Sequence, residues 1–159
     1  MKALVVYYSR TGNTEKLATA IAEKSGTDLL PITEEKPRQG LSGALLSCWH
    51  SFAEKKPPIA EFEVVLEDYP LVIVGTPIWA GNLAAPVRTF LVKYRQQLDR
   101  VAFFATFGVA ASSKVFDNMQ QLAGKRPESV FGVSKKELQQ NQYAEAVDQF
   151  VEELKNRCD

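Results

Sequence analysis

The sequence predicts an α/β domain: three layers, with a five-stranded parallel sheet covered by helices on both faces. Three observations predict it. Apolar runs alternate with segments of helical periodicity along the whole chain, which is the pattern of a parallel sheet with crossover helices. The runs "KALVVYY", "LVIVG" and "RVAFFATFG" are apolar at nearly every position, as strands buried on both faces are. Each of these runs also ends in or runs into a glycine-containing loop, where ligands of such sheets bind, outside the carboxyl ends of the strands.

The first strand is "KALVVYY". A helix follows from about Asn13, with Thr14, Leu17, Ala18, Ile21 and Ala22 at helical spacing and Gly26 as its stop. "DLLPI" is a short second strand, placed at a sheet edge by Pro31. Residues 33–40 are polar and read as loop. Leu41, Leu45, Cys48, Trp49 and Phe52 mark one face of a short helix that stops before Pro57 and Pro58. "LVIVG" is the third strand, with "TPIWAGNLAA" as the loop behind it. Pro86 suits the first turn of the next helix, whose stripe is Val87, Phe90, Leu91 and Tyr94. "RVAFFATFG" is the fourth strand. Val115, Met119 and Leu122 carry a helix closed by Gly124, and "SVFGV" is the fifth strand. Tyr143, Val147, Phe150, Val151 and Leu154 define the last helix.

A chain of 159 residues suits a single domain over 1–159. Lys+Arg and Asp+Glu are 19 each, so net charge gives no support for nucleic acid or an anionic membrane as partner. No apolar stretch approaches the roughly 20 residues that span a bilayer, and "MKALVVYY" reads as a strand, not a signal peptide. Cys48 and Cys158 lie far apart and form no redox or metal pair; a reducing cytoplasm fits them. The lone His50 supports no metal cluster and reads as a surface residue.

The loop Ser9, Arg10, Thr11, Gly12, Asn13, Thr14 joins the first strand to the first helix. A helix start offers unpaired N–H groups and partial positive charge. Ser9, Thr11 and Thr14 add hydroxyl donors, Asn13 an amide, and Gly12 allows positive φ or close backbone approach. A helix cap needs one such residue; this loop has several. The set suits a phosphate monoester, with its three acceptor oxygens. The patterns G-x-x-x-x-G-K-[ST] and G-x-G-x-x-G are both absent, which argues against an NTPase or a conventional dinucleotide fold.

At "SRTGNT" the sequence resembles the flavodoxin family, whose phosphate loop for flavin mononucleotide (FMN) has the form [ST]-x-[ST]-G-[NT]-[ST]. The resemblance extends over the five βα units and implies a flavodoxin-like sandwich with strand order 2-1-3-4-5. It implies FMN as cofactor, its phosphate on Ser9 to Thr14. The loops after strands three and four would flank the flavin ring: Thr76, Pro77, Ile78, Trp79, Ala80, Gly81 and Asn82 from one, Thr106, Phe107 and Gly108 from the other. Trp79 is the first choice for a ring contact. Phe107 is the second, although "FFATF" also reads as simple strand continuation. Arg10 is read either as a phosphate contact or as pointing to solvent toward a redox partner. The peptide near Ala80–Gly81 would hydrogen-bond the flavin N5 when the ring is half-reduced.

No residue reads as a nucleophile or metal ligand, so the cofactor would carry the electron chemistry. The resemblance implies an electron carrier acting with a partner redox protein, as a monomer or weak dimer; the alternative is a small FMN-dependent NAD(P)H:quinone-type oxidoreductase. One departure bears on this choice. General carriers of that family are usually strongly acidic, and this chain is neutral.

Overall fold

The computed structural model describes residues 2–34, 56–109 and 113–158. The helix expected over Leu41 to Phe52, with Cys48 and His50, lies outside the described residues. The strands are β1 (Ala3–Tyr7), β2 (Asp28–Pro31), β3 (Leu71–Trp79), β4 (Asn82–Leu83), β5 (Arg100–Phe107) and β6 (Pro127–Ser134). The helices are α1 (Asn13–Ser25), α2 (Ala85–Lys93), α3 (Ser113–Ala123), α4 (Lys135–Gln139) and α5 (Ala144–Cys158).

Five strands pair in parallel in the order β2-β1-β3-β5-β6. Counting only those five, this is the expected order 2-1-3-4-5. The sixth strand, β4, is a two-residue antiparallel partner of the end of β3. The expectation of a loop from Thr76 to Asn82 is corrected here. β3 runs on through Trp79, turns over Ala80 and Gly81, and folds back so that Trp79 faces Asn82 and Ile78 faces Leu83. The physical reason lies in two residues. Ala80 and Gly81 both hold positive φ, at 49° and 77°, the signature of the two-residue turn whose twist matches antiparallel strands.

Side chains alternate across the sheet and build two cores. Leu4, Val6, Val72, Val74 and Phe103 pack with Val87, Phe90 and Leu91 of α2 and Val115 and Met119 of α3. Ala3, Val5, Ile73 and Phe104 pack with Leu17, Ala18 and Ile21 of α1 and Val147, Phe150 and Val151 of α5. One close approach depends on a glycine. A Cβ on Gly75 would lie 2.0 Å from Phe104 Cζ, so the phenyl ring of β5 occupies the space a side chain on β3 would need.

α1 ends as expected at Gly26 (φ 65°) and α3 is followed by Gly124 (φ 67°). α4 was not expected. It begins with a capping box: Ser134 Oγ accepts from the Glu137 N–H at 3.2 Å, and the Ser134 N–H donates to Glu137 Oε2 at 2.7 Å. The spacing Ser-x-x-Glu that builds such a box is present in "SKKE". Lys16 ties this helix to α1, donating to Leu138 O at 3.0 Å and Asn141 Oδ1 at 2.7 Å. Among the described residues, no helix is long and apolar enough to cross a membrane, and no cluster of three or more His, Cys, Asp or Glu could hold a metal.

Candidate functional site

The carboxyl ends of β1, β3, β5 and β6 converge on one cleft of about 250 Å³. The β1–α1 loop and first turn of α1 give it Arg10, Thr11, Asn13 and Thr14. β3 gives Pro77, Ile78 and Trp79; the end of β5 gives Thr106, Phe107 and Gly108. The parallel register makes this convergence unavoidable, because Pro77 pairs with Thr106 and Phe107 pairs with Ser134.

The floor of the cleft is the start of α1. Gly12 stands at the N-cap position with φ 84° and ψ −11°, and no side chain caps the helix there. Its carbonyl accepts the Lys16 N–H at 2.9 Å. The preceding N–H groups of the turn have no intrahelical acceptor, as at any helix start. Ser9 Oγ is buried and has no hydrogen-bond partner among the described residues. Asn13 Nδ2 donates weakly to Thr11 Oγ1 at 3.4 Å. Thr14 and Thr106 are both buried, and their hydroxyls lie 2.8 Å apart. Glu15, the acidic residue of the turn, accepts from the Tyr7 phenol at 3.3 Å and does not line the cleft. Burial, helped by the Glu15 charge, pushes that phenol's pKa up.

The upper wall is aromatic. Trp79 meets Tyr8 edge to face, with centroids 5.9 Å apart at 87°. The Arg10 guanidinium lies over the indole at 5.5 Å, so Arg10 packs on the ring expected to touch the flavin while lining the same cleft as Thr11, Asn13 and Thr14. Phe107 is the last residue of β5 and also lines the cleft. Its ring passes over Gly132 of β6, where a Cβ would be 3.0 Å from Phe107 Cε1.

Ten of the sixteen residues expected at the site thus line one cleft. The other six support it. Ser9 and Gly12 shape the floor. Thr76 is fully buried beneath it, donating to Pro77 O at 3.0 Å and accepting from the Ala84 N–H at 2.9 Å. Its hydroxyl is spent on holding the hairpin to the start of α2. Ala80, Gly81 and Asn82 form the tip of the hairpin. Lys135 lines the cleft and was not expected. Its signal was position alone: it directly follows β6, the fifth parallel strand. With Arg10 it makes both charged lining residues cationic, although the chain as a whole is neutral.

The residues fit a group with a phosphate at one end and a flat ring at the other. Buried hydroxyls, an uncapped helix start and two cations suit the anion. Trp79, Phe107 and Ile78 suit the ring.

Comparison with known proteins agrees with this geometry. The sequence model of a flavodoxin family, described as "Flavodoxin", matches residues 2–154. An NAD(P)H dehydrogenase (quinone) from Cupriavidus metallidurans is 31% identical over 90 residues, 57% of this chain and 45% of that protein. One of the same description from Caulobacter vibrioides is 34% identical over 94 residues, 56% of this chain and 44% of that protein. The matches thus span less than half the length of those relatives. Among solved structures, a protein from Bacteroides uniformis superposes with a TM-score of 0.76 at 22% identity, covering 95% of this chain and 97% of that one. A flavoprotein from Lactobacillus acidophilus, solved in complex with FMN, gives a TM-score of 0.69 at 22% identity over 90% and 98% of the two chains. These structures show the shared fold; the sequence match over nearly the whole length shows the family. The chain belongs to the flavodoxin family.

Proposed function

We propose that the cleft binds FMN and that the chain is an electron-transfer flavoprotein, exchanging electrons with a partner redox protein. The observation that carries this reading is the Ser9 hydroxyl, buried without a partner among the described residues beside the uncapped start of α1. A buried hydroxyl left unsatisfied costs about 1–3 kcal/mol. An anion seated on the turn would accept its proton, and the N–H groups of the turn would share the load. Arg10 and Lys135 would add charge attraction to that anion. Trp79 and Phe107 would orient the ring and keep water from its faces. When bound, FMN supplies the electron chemistry, and the protein tunes it.

The carrier reading gains support from the rim of the cleft. Val109 follows Gly108 of the wall and is fully exposed, an apolar contact for a docking protein next to the ring. A second reading, direct NAD(P)H:quinone oxidoreduction, is favoured by the description of the two Cupriavidus and Caulobacter relatives.

One experiment tests both. The purified protein is expected to carry, or to take up, one FMN per chain. It is then mixed anaerobically with NADH or NADPH, with and without a quinone, and separately with a flavoprotein reductase. Reduction only through the reductase supports the carrier; rapid direct oxidation of the nicotinamide supports the second reading. A protein that cannot be loaded with FMN refutes both.

A further inference from the structure

We propose that Thr106, on strand β5, is a positioning residue for the cofactor's phosphate: it donates to Thr14, and Thr14 in turn donates to the anion. This rests on the FMN reading above. Sequence position puts Thr106 with the ring-binding loops, 92 residues from Thr14. The fold puts it elsewhere in function.

Three observations carry the inference. The two Oγ1 atoms lie 2.8 Å apart, and either can be the donor. Thr14 is 1% exposed and Thr106 4% exposed, yet both border the cleft. Neither hydroxyl makes another side-chain hydrogen bond among the described residues. Two hydroxyls carry two protons. Their mutual bond uses one, and the other needs an acceptor at a depth where bulk water is scarce.

Location decides which proton is left over. Thr14 lies in the first turn of α1, where anions are favoured. A phosphate dianion offers acceptor oxygens and no donor. Thr14 must therefore donate to the phosphate, and its own oxygen is left to accept from Thr106. The anion fixes the direction of a bond that is otherwise free to reverse. Each bond in such a chain polarises the next, so Thr106 strengthens a contact it does not itself make.

The test uses the full chain stripped of flavin and titrated with FMN and with riboflavin, which lacks the phosphate. Thr106→Val keeps the shape and removes the hydroxyl. It should weaken FMN by up to about tenfold, the upper end of the scale of one neutral hydrogen bond, and leave riboflavin within about twofold. Thr106→Ser should restore FMN binding, which a packing role would not require. If Thr106→Val does not fold, Thr106→Ala gives the same comparison. Equal losses for FMN and riboflavin, or no recovery with serine, would overturn the role of Thr106 while leaving the FMN reading intact. Failure of the unaltered protein to bind FMN would overturn that reading, and this inference with it.

Discussion

Arg10 lies over Trp79, its guanidinium carbon 5.5 Å from the centre of the indole ring. The contact joins the β1–α1 loop to the end of β3, and both residues line the cleft. It places a cation from the phosphate side against the aromatic wall of the ring side. Trp79 is held in turn by its edge-to-face contact with Tyr8, whose phenol donates to Glu34 Oε1 at 2.5 Å.

Replacing Arg10 by methionine keeps bulk on the indole and removes the charge. The expected result is a loss of FMN affinity of about 0.5–1 kcal/mol at low salt, the range for an exposed cation near an aromatic ring or an anion. The loss should shrink at high ionic strength as the remaining charges are screened. Titrating the flavin-free protein with FMN while following the flavin's own fluorescence at two salt concentrations measures both.

Gly75 and Phe104 make a second relationship that can be broken on purpose. A Cβ at residue 75 would fall 2.0 Å from Cζ and 2.5 Å from both Cε atoms of the ring. Phe104 is fully buried and cannot swing away without disturbing α1 and α5. Gly75→Ala should destabilise the fold by at least the roughly 1–3 kcal/mol typical of overpacking. Adding Phe104→Leu should recover part of the loss, because the smaller side chain frees the space. Urea unfolding of the two single variants and the double variant gives the coupling.

These relationships differ in how far they can be read from sequence. β1 is legible because Ala3 to Tyr7 are apolar throughout, and burial on both faces demands that. The phosphate floor is legible because Ser9 to Thr14 are neighbours in the chain. The hairpin is not. A strand that continues through Thr76 and Trp79 looks like a loop once Pro77, Ala80 and Gly81 are seen, and Ala-Gly is not among the usual turn pairs. Lys135 and the Thr14–Thr106 bond are illegible for another reason. They depend on which strand ends lie side by side, and the register of β5 against β6 is a property of the whole sheet. Local pattern finds the elements; only the sheet brings their ends together.

The capping box that starts α4 predicts a pH-dependent stability. Hydrogen bonds from the Ser134 hydroxyl and N–H hold the Glu137 carboxyl below its ordinary value of 4.5. A carboxyl lowered in the folded state contributes stability above its unfolded pKa and loses it as pH falls through the folded pKa. Ser134→Ala should thus cost about 0.5–2 kcal/mol at neutral pH, and less once Glu137 is protonated. Urea midpoints of both proteins at neutral pH and well below 4 compare the two cases. A difference that persists unchanged in acid would mean that the serine acts by capping alone. Because Lys135 is the first residue of α4, the same substitution should also weaken FMN binding slightly.

Gly12 separates backbone strain from crowding. Its φ is 84°, and a Cβ built on it would meet nothing within 4 Å. Any penalty for a side chain there is conformational. Gly12→Ala should cost about 1–2 kcal/mol, the usual charge for forcing an L-residue into left-handed backbone. Gly12→Asn should cost less, since asparagine visits that region more readily. If this left-handed residue aims the N–H groups of α1 at the phosphate, each loss of stability should appear together with a loss of FMN affinity, and riboflavin affinity should change less. Isothermal titration of the three proteins with both flavins, beside their unfolding curves, separates a strained turn from a misdirected one. Parallel losses for both flavins would show that Gly12 serves the fold and not the anion.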